Sequence, residues 1–329
     1  MKNKKTKILI TGISGFIGSH LAEYCLSLPN TNVFGTIVSH HLGDEMKRIE
    51  HLVKRITLFE CDLTNRIAVA KVLAKVRPDK IFHLAAQSFV PTSWDAPEHT
   101  LFNNIISELN IFEVVRELRL NPVIQIAASS EEYGMVYKKE LPIKETNPLR
   151  PLSPYAVSKI GQDMLAAQYY KSYGLKTVIT RAFNTEGPRR GKQFVISSFA
   201  YQIAAIERGL QEPVMKVGNL NAFRDFTDVR DTVKALWLAT KKCGFGEPYN
   251  IGSGKTHQIK EVLKTLLSFT KSKIKVEKDP KRMRPSDVPI LLADSTKFRK
   301  ATGWRPTIGF KTTLLDTLNY WREELNNKN

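Results

Sequence analysis

Two short stretches carry residue types that could move protons. In ASSEEYG, Ser129, Ser130, Glu131 and Glu132 stand side by side directly after the apolar run NPVIQIA. In SPYAVSK, Tyr155 and Lys159 are four residues apart, one turn of a helix, so both side chains share a face. A phenol is a poor base at neutral pH, but a neighbouring ammonium stabilises the phenolate and lowers its pKa. Tyr155 could then take a hydroxyl proton, with the serines and glutamates as further acid/base groups. The bland alternatives are a solvated turn and a surface tyrosine beside a solvated lysine. The elements that would position these residues decide between the readings.

The first of those elements is KILITGISGFIGSHLAEYCL. Ile8 to Ile10 form an apolar strand, Gly12, Gly15 and Gly18 follow, and Phe16 and Ile17 open a helix with apolar residues at helical spacing. Glycines between a strand and a helix let the backbone approach a pyrophosphate, which then lies on the helix N-terminus. The spacing is GxxGxxG rather than the dehydrogenase GxGxxG. With a cationic nicotinamide ring nearby, hydride could leave the carbon whose hydroxyl proton Tyr155 removes. The second strand, NVFGTIVSH, ends without the carboxylate that often holds an adenosine 2′-hydroxyl. Ser39, His40 and the basic segment after them could bind a 2′-phosphate, which favours NADP and leaves NAD open.

A third strand, ITLFECDLTN, ends in Asp62 and Leu63, and a fourth, PDKIFHLAAQSFV, runs into Leu84, Ala85, Ala86 and Ser88. Helical segments such as RIAVAKVLAKV and HTLFNNIISELNIFEVVREL separate the strands. This βαβα alternation predicts an α/β fold with a doubly wound parallel (Rossmann) sheet, whose ligands bind beyond the carboxyl ends of the strands. ASSEEYG follows the fifth strand, VIQIA, and so belongs to that edge.

The chain of 329 residues is 42% hydrophobic and 25% charged, which suits a globular protein with a substantial core. Cys25, Cys61 and Cys243 are odd in number and far apart, which points to a reducing, cytoplasmic setting. The start MKNKKTKILITGI imitates a signal peptide, but its apolar run is short and broken by glycine; it reads as a basic tail before a strand. No apolar run approaches a membrane span, so no membrane partner is expected. The net charge of +18 raises the question of nucleic acid. The basic residues are spread along the chain without a nucleic-acid-binding signature, and polyanionic nucleotides would use some of that charge. The histidines are scattered, and the adjacent His40 and His41 point to opposite sides of a strand, so no metal is expected.

Together the motifs resemble an extended short-chain dehydrogenase/reductase, specifically the nucleotide-sugar dehydratases of the GDP-mannose 4,6-dehydratase type. The resemblance spans nearly the whole chain through TGISGFIGSHLAE, HLAAQSFVPTSWDAPEHT, SSEEYG, SPYAVSK, RAFNTEGPRRG, VGNLNAFRDFTDVRD, YNIGSG and RMRPSDVPILLADSTKFRKATGW. It implies Ser129, Glu131, Tyr155 and Lys159 as catalytic residues. Hydride would pass from C4 of a hexose to NADP⁺ while Tyr155 takes the 4-hydroxyl proton. Glu131 would take the proton at C5, then protonate the leaving C6 hydroxyl with help from Ser129, and the hydride would return to C6. Glu132 has no role in this match and reads as a solvated turn residue.

The resemblance also implies a Rossmann domain over residues 1–183 and a mainly substrate-binding domain over 184–329, with some segments returning to the sheet. Ser88, Asn184, Arg190, Arg224 and Arg284 match positions near a GDP-sugar, and arginine suits a diphosphate because its fork makes paired charge-assisted bonds. Where the family has Asn-x-x-Gly-Thr, this chain keeps Asn104 but places Ser107 and Glu108, a packing variation in a helix that family members use to form homodimers or homotetramers. Two rivals stand beside the dehydratase: a GDP-4-keto-6-deoxymannose reductase using NAD(P)H, and a non-catalytic dinucleotide-binding regulator. The Pro-Arg-Arg of FNTEGPRRG leans to the dehydratase, since reductases read closer to Gly-Pro-Gly-Gln. The Tyr155–Lys159 pair argues against the regulator.

Overall fold

The structure is a computed structural model that describes residues 5–39, 43–283 and 288–327. Its strands are β1 (Thr6–Thr11), β2 (Thr31–Ile37), β3 (Thr57–Glu60), β4 (Lys80–His83), β5 (Val123–Ser129), β6 (Thr177–Ala182), β7 (Asn184–Glu186), β8 (Val214–Val217), β9 (Phe223–Asp228), β10 (Pro248–Ile251), β11 (Thr256–Gln258) and β12 (Lys275–Lys278). Its helices are α1 (Phe16–Ser27), α2 (Gly43–Lys47), α3 (Arg66–Val76), α4 (Val90–Asp95), α5 (Pro97–Glu117), α6 (Pro154–Tyr173), α7 (Val195–Glu207), α8 (Val229–Lys242), α9 (Ile259–Leu267), α10 (Thr296–Thr302) and α11 (Phe310–Asn326).

The continuous apolar run Ile8–Ile10 suits a strand covered on both faces, and in β5 the buried Gln125 between Ile124 and Ile126 donates to Thr180 Oγ1 at 2.9 Å. Such strands build one parallel sheet in the order β10-β6-β5-β4-β1-β2-β3. One apolar cluster, with Ile8, Ile10, Leu21 and Leu236, fills the face under α1 and α8. A second, with Leu9, Ile81, Phe112 and Ile179, fills the face under α3, α5 and α6. The strand order reverses between β1 and β4, the place where open α/β sheets form their ligand crevice. The third strand is shorter than its sequence suggests: it ends at Glu60, and Asp62 turns back to accept from the Thr64 amide at 2.9 Å.

Local signals fix the helices that matter for the site. The Asn65 side chain accepts from the amides of Ile67 and Ala68 and starts α3. Ser153 caps α6 by accepting from the Ala156 amide at 3.1 Å, with Pro154 in the first turn and Gly174 ending the helix in the left-handed conformation. Past β6 the chain builds a second lobe. There β11-β9-β7 and β12-β8 form small sheets, and α7, α9 and α11 pack on them around Phe199, Met215, Val262 and Leu318. The chain returns to the main sheet through β10, which pairs with β6. Among the described residues no helix is long and apolar enough to cross a membrane.

Candidate active site

The carboxyl ends of β1, β2, β4, β5 and β6 open into one cavity of about 530 Å³. Its floor is the glycine turn. The Thr11 hydroxyl accepts from the amides of Leu84 (3.1 Å) and Ala85 (3.2 Å) and pairs with His83 Nδ1 at 2.9 Å. That draws the end of β4 against the turn so closely that a Cβ on Gly12 would lie 2.9 Å from Ala85 Cα, at a φ of +64°. Only glycine meets both demands. The N-terminus of α1 carries no side-chain cap and no acidic residue in its first turn, so its amides remain available to an anion. Gly12, Gly15, Phe16, Ile17, Gly18, Asp62, Leu63, Leu84, Ala85 and Ala86 all line this cavity, a donor set that fits a dinucleotide.

Ser39 does not line it. Val38 does, and so does Arg48, which lies beyond the second strand and escaped the sequence reading. Arg48 reaches back over the glycine turn, donating to the Ser14 carbonyl at 3.3 Å and the Arg189 carbonyl at 3.2 Å. The available signal was the basic segment after the strand; the bend that returns it to the cavity leaves no pattern in the sequence.

ASSEEYG folds as the end of β5 followed by one 3₁₀ turn over Ser130–Tyr133. Ser129 caps the turn, accepting from the Glu131 amide at 3.2 Å, and Glu131 stays partly exposed and lines the cavity. Glu132 corrects the expectation of a solvated turn residue, for it is fully buried. Its Oε1 accepts from the Ser129 amide at 2.8 Å, and its other oxygen lies 3.2 Å from Arg181 Nε. Arg181 comes from neighbouring β6 and also donates to Asp163 at 2.7 Å. Burial raises the Glu132 carboxyl well above its usual range, Asp163 adds to the rise, and Arg181 opposes it. The terminal glycine of the motif is also explained: a Cβ on Gly134 would fall 1.8 Å from the Arg150 carbonyl oxygen. The two adjacent glutamates thus point opposite ways, one into the cavity and one into the protein.

Tyr155 and Lys159 face the cavity from the first turns of α6. Lys159 Nζ donates to the Ala127 carbonyl and to Gln162 Oε1, both at 2.8 Å, and stands 5.9 Å from the centroid of the Tyr155 ring. The protein's own groups act on the Tyr155 phenol in opposing directions. Burial pushes it above its ordinary value, while the Ser129 hydroxyl pulls it down and Glu131 and Glu132 push it up. Burial also lowers Lys159 to about 8, against the opposing charges of Glu108 and Glu132. Asn104 locks the surroundings: its Nδ2 donates to Ser158 Oγ at 2.9 Å and to the Gln87 carbonyl at 3.1 Å.

Of the candidate sugar-nucleotide contacts, Ser88, Asn184 and Arg190 line the cavity. The Arg190 guanidinium stacks 3.5 Å from the centroid of Phe194 and 4.9 Å from that of Phe16, spanning the two halves of the cavity. Arg189 turns away to pair with Glu23 at 2.6 Å. Arg224 is buried on β9, donates to the Phe223 carbonyl at 2.9 Å and does not line the cavity. Arg284 lies outside the described residues, as do His40 and His41. Thr185, Gln193 and Asn103 line the cavity without having been singled out; polar residues of these types carry no distinguishing signal in a sequence.

A glycine turn at the sheet's switch point, with serine, tyrosine and lysine converging on the same cavity, defines an extended short-chain dehydrogenase/reductase. Residues 9–317 match the family model for GDP-mannose 4,6 dehydratase, and the chain belongs to that family. It is 34% identical to a GDP-mannose 4,6-dehydratase of Vibrio cholerae serotype O1, over 93% of this chain and 90% of the relative. It is 30% identical to a GDP-6-deoxy-D-mannose reductase of Pseudomonas aeruginosa, over 97% of this chain and 98% of the relative. Among solved structures, RMD from Pseudomonas aeruginosa complexed with NADPH superposes with a TM-score of 0.84 at 29% identity, covering 97% of this chain and 100% of that one.

Proposed function

We propose that the protein is a nucleotide-sugar 4,6-dehydratase that converts a GDP-hexose, GDP-mannose or a close relative, to the 4-keto-6-deoxy sugar. This reading is supported by Glu131, a partly exposed carboxylate in the same cavity as Ser129 and Tyr155, taken together with Arg190 of the Pro-Arg-Arg segment, which lines that cavity too. Reduction of a ketone needs one proton donor. Elimination of water across C5 and C6 needs a further group that takes a proton and then gives one back.

A nicotinamide dinucleotide held by the turn of Gly12, Gly15 and Gly18 and by Asp62 and Ala85 would supply reversible hydride transfer between C4 and C6, so the reaction would involve no net oxidation. Tyr155 accepts the 4-hydroxyl proton, and Lys159 holds positive charge behind it. The C4 ketone acidifies the C5 proton, which Glu131 removes. Glu131 then protonates the departing C6 hydroxyl, with Ser129 donating a hydrogen bond, and water leaves. On hydride addition at C6, Glu131 relays a solvent proton to C5, and Tyr155 gives up the 4-hydroxyl proton to solvent. Arg190, Asn184 and Ser88 hold the GDP-sugar, the guanidinium matching a diphosphate oxygen pair.

Arg48 supports NADP, since its guanidinium lines the same cavity as Val38, the residue after β2, and would suit a 2′-phosphate. The exposed apolar side chains Phe102 on α5 and Val157 and Met164 on α6 support a homodimer formed through these two helices. A second reading, reduction of a GDP-4-keto-6-deoxy sugar with NADPH, is supported by the 30%-identical reductase and by the NADPH-complexed structural neighbour. Mass spectrometry separates the two. A panel of GDP-hexoses is incubated with the protein and catalytic NADP⁺. Loss of one water without net cofactor reduction supports the dehydratase. Turnover only with a 4-keto-6-deoxy substrate and stoichiometric NADPH supports the reductase and removes the role given to Glu131.

A further inference from the structure

Glu108 occupies the α5 position where the family motif has threonine, and it is completely buried. Among the described residues neither of its carboxylate oxygens has a hydrogen bond of good geometry, and neither does the amide nitrogen of Gln162. Helices α5 and α6 pack together, and the Gln162 side chain favours the charged form of the Glu108 carboxyl. Gln162 Oε1 in turn accepts from Lys159 Nζ at 2.8 Å. A buried carboxylate without partners is costly unless a charge compensates it, and the same is true of a buried ammonium. Lys159 is only 4% exposed and hydrogen-bonds to two neutral oxygens. Each group therefore lacks a charge that the other can supply.

We propose that Glu108 is the buried counter-ion of Lys159, a positioning residue that keeps the ammonium protonated and so sets the upper pH limit at which Tyr155 can work. The other charges around the pair are already committed or neutral. Glu132 and Asp163 face the Arg181 guanidinium from the 3₁₀ turn and α6. His83 on β4 is fully buried and held neutral by burial and by the Lys159 charge. Tyr155 lines the same cavity as the lysine. Burial raises Glu108 well above the usual carboxylate range and Lys159 opposes the rise, while Glu108 is the first of the two carboxylates that oppose the lowering of Lys159. Glu108 and Lys159 thus favour one another's charged forms, with the Gln162 side chain bonded to the lysine at 2.8 Å.

The inference rests on the reading of Tyr155 and Lys159 as the proton-transfer pair. The test is the pH–rate profile of the native holoenzyme and of Glu108→Gln, on whichever GDP-sugar the native protein turns over. In the Glu108→Gln variant the alkaline limb moves to lower pH by about one unit, whereas Glu108→Asp leaves it near the native position. Should Glu108→Gln not fold, Glu108→Thr restores the family's usual residue and shows the same displaced limb. Superimposable profiles for native and neutral variants overturn the counter-ion role and leave Glu108 a packing residue. A Tyr155→Phe variant that keeps native turnover overturns the underlying reading instead, whatever Glu108 does.

Discussion

Lys159 Nζ donates to the carbonyl oxygen of Ala127 at 2.8 Å, tying the second turn of α6 to the last residues of β5. Ser129 lies two residues further along that strand and Tyr155 one turn back along that helix, so this one bond sets the serine and tyrosine against each other. Both arms are well supported, by the Ser153 cap on α6 and by the parallel ladder between β5 and β6. Catalysis that depends on near-attack geometry requires this kind of rigid registration.

The first prediction concerns Tyr155. Tyr155→Phe removes only the hydroxyl from a well-packed ring, so the melting temperature should stay close to native. Turnover should fall about a hundredfold to ten-thousandfold, the range of a lost general acid–base group. Steady-state kinetics beside a thermal melt checks it; undiminished turnover removes Tyr155 from the chemistry.

The adjacent glutamates should behave oppositely. Glu131→Gln should lower turnover by about two to four orders of magnitude with little change in stability. Glu132→Gln leaves Arg181 with only one buried carboxylate and weakens the cap on the Ser129 amide, so it should cost about 3 kcal/mol of stability. Denaturant titration and turnover of both variants decide this. The same outcome for both would mean that the opposite orientations of the two side chains do not matter.

His83 gives a pH dependence whose sign is definite. Burial, with the Lys159 charge adding to it, lowers this imidazole from its ordinary 6.5 to about 3. Between those values the unfolded chain binds a proton that the folded chain refuses, so the His83 contribution to stability is lost as pH falls below about 6.5, by up to about 1.4 kcal/mol per pH unit. His83→Asn can keep a partner for Thr11 but cannot titrate. The stability of native protein relative to this variant should therefore decline from pH 7 to pH 4, measured by urea unfolding. A constant difference would contradict the buried neutral imidazole.

Arg48 tests cofactor choice. Arg48→Met should weaken NADP binding by about ten- to a hundredfold and leave NAD binding nearly unchanged. Calorimetric titration of both dinucleotides reads this directly, and equal losses for the two would assign Arg48 to the pyrophosphate or to the fold.

The parallel sheet, the first helix and the placing of Tyr155 and Lys159 on one helix face were legible in the sequence because each rests on a local pattern: an apolar run, a glycine turn, an i,i+4 spacing. What was not legible depends on contacts distant in sequence. Glu132 looks like a solvated turn residue until Arg181, 49 residues later, is seen beside it on β6. Arg48 looks like surface decoration until the chain after β2 bends back over the glycine turn. Arg224 has the right residue type and motif, but its strand carries it into the second lobe's interior, away from the cavity. Glu108 reads as packing variation because nothing near it in sequence reveals the buried lysine it faces.

The central claim is that hydride leaves C4 and returns to C6 of the same sugar while Glu131 handles the C5 proton. The most direct measurement is turnover of a GDP-hexose carrying deuterium at C4, with catalytic unlabelled NADP⁺ and the product examined by NMR and mass spectrometry. The expected result is loss of one water, deuterium at C6 of the 4-keto-6-deoxy product, and C5 hydrogen drawn from solvent. Deuterium found instead in a stoichiometric pool of reduced cofactor, or no loss of water, would contradict the account.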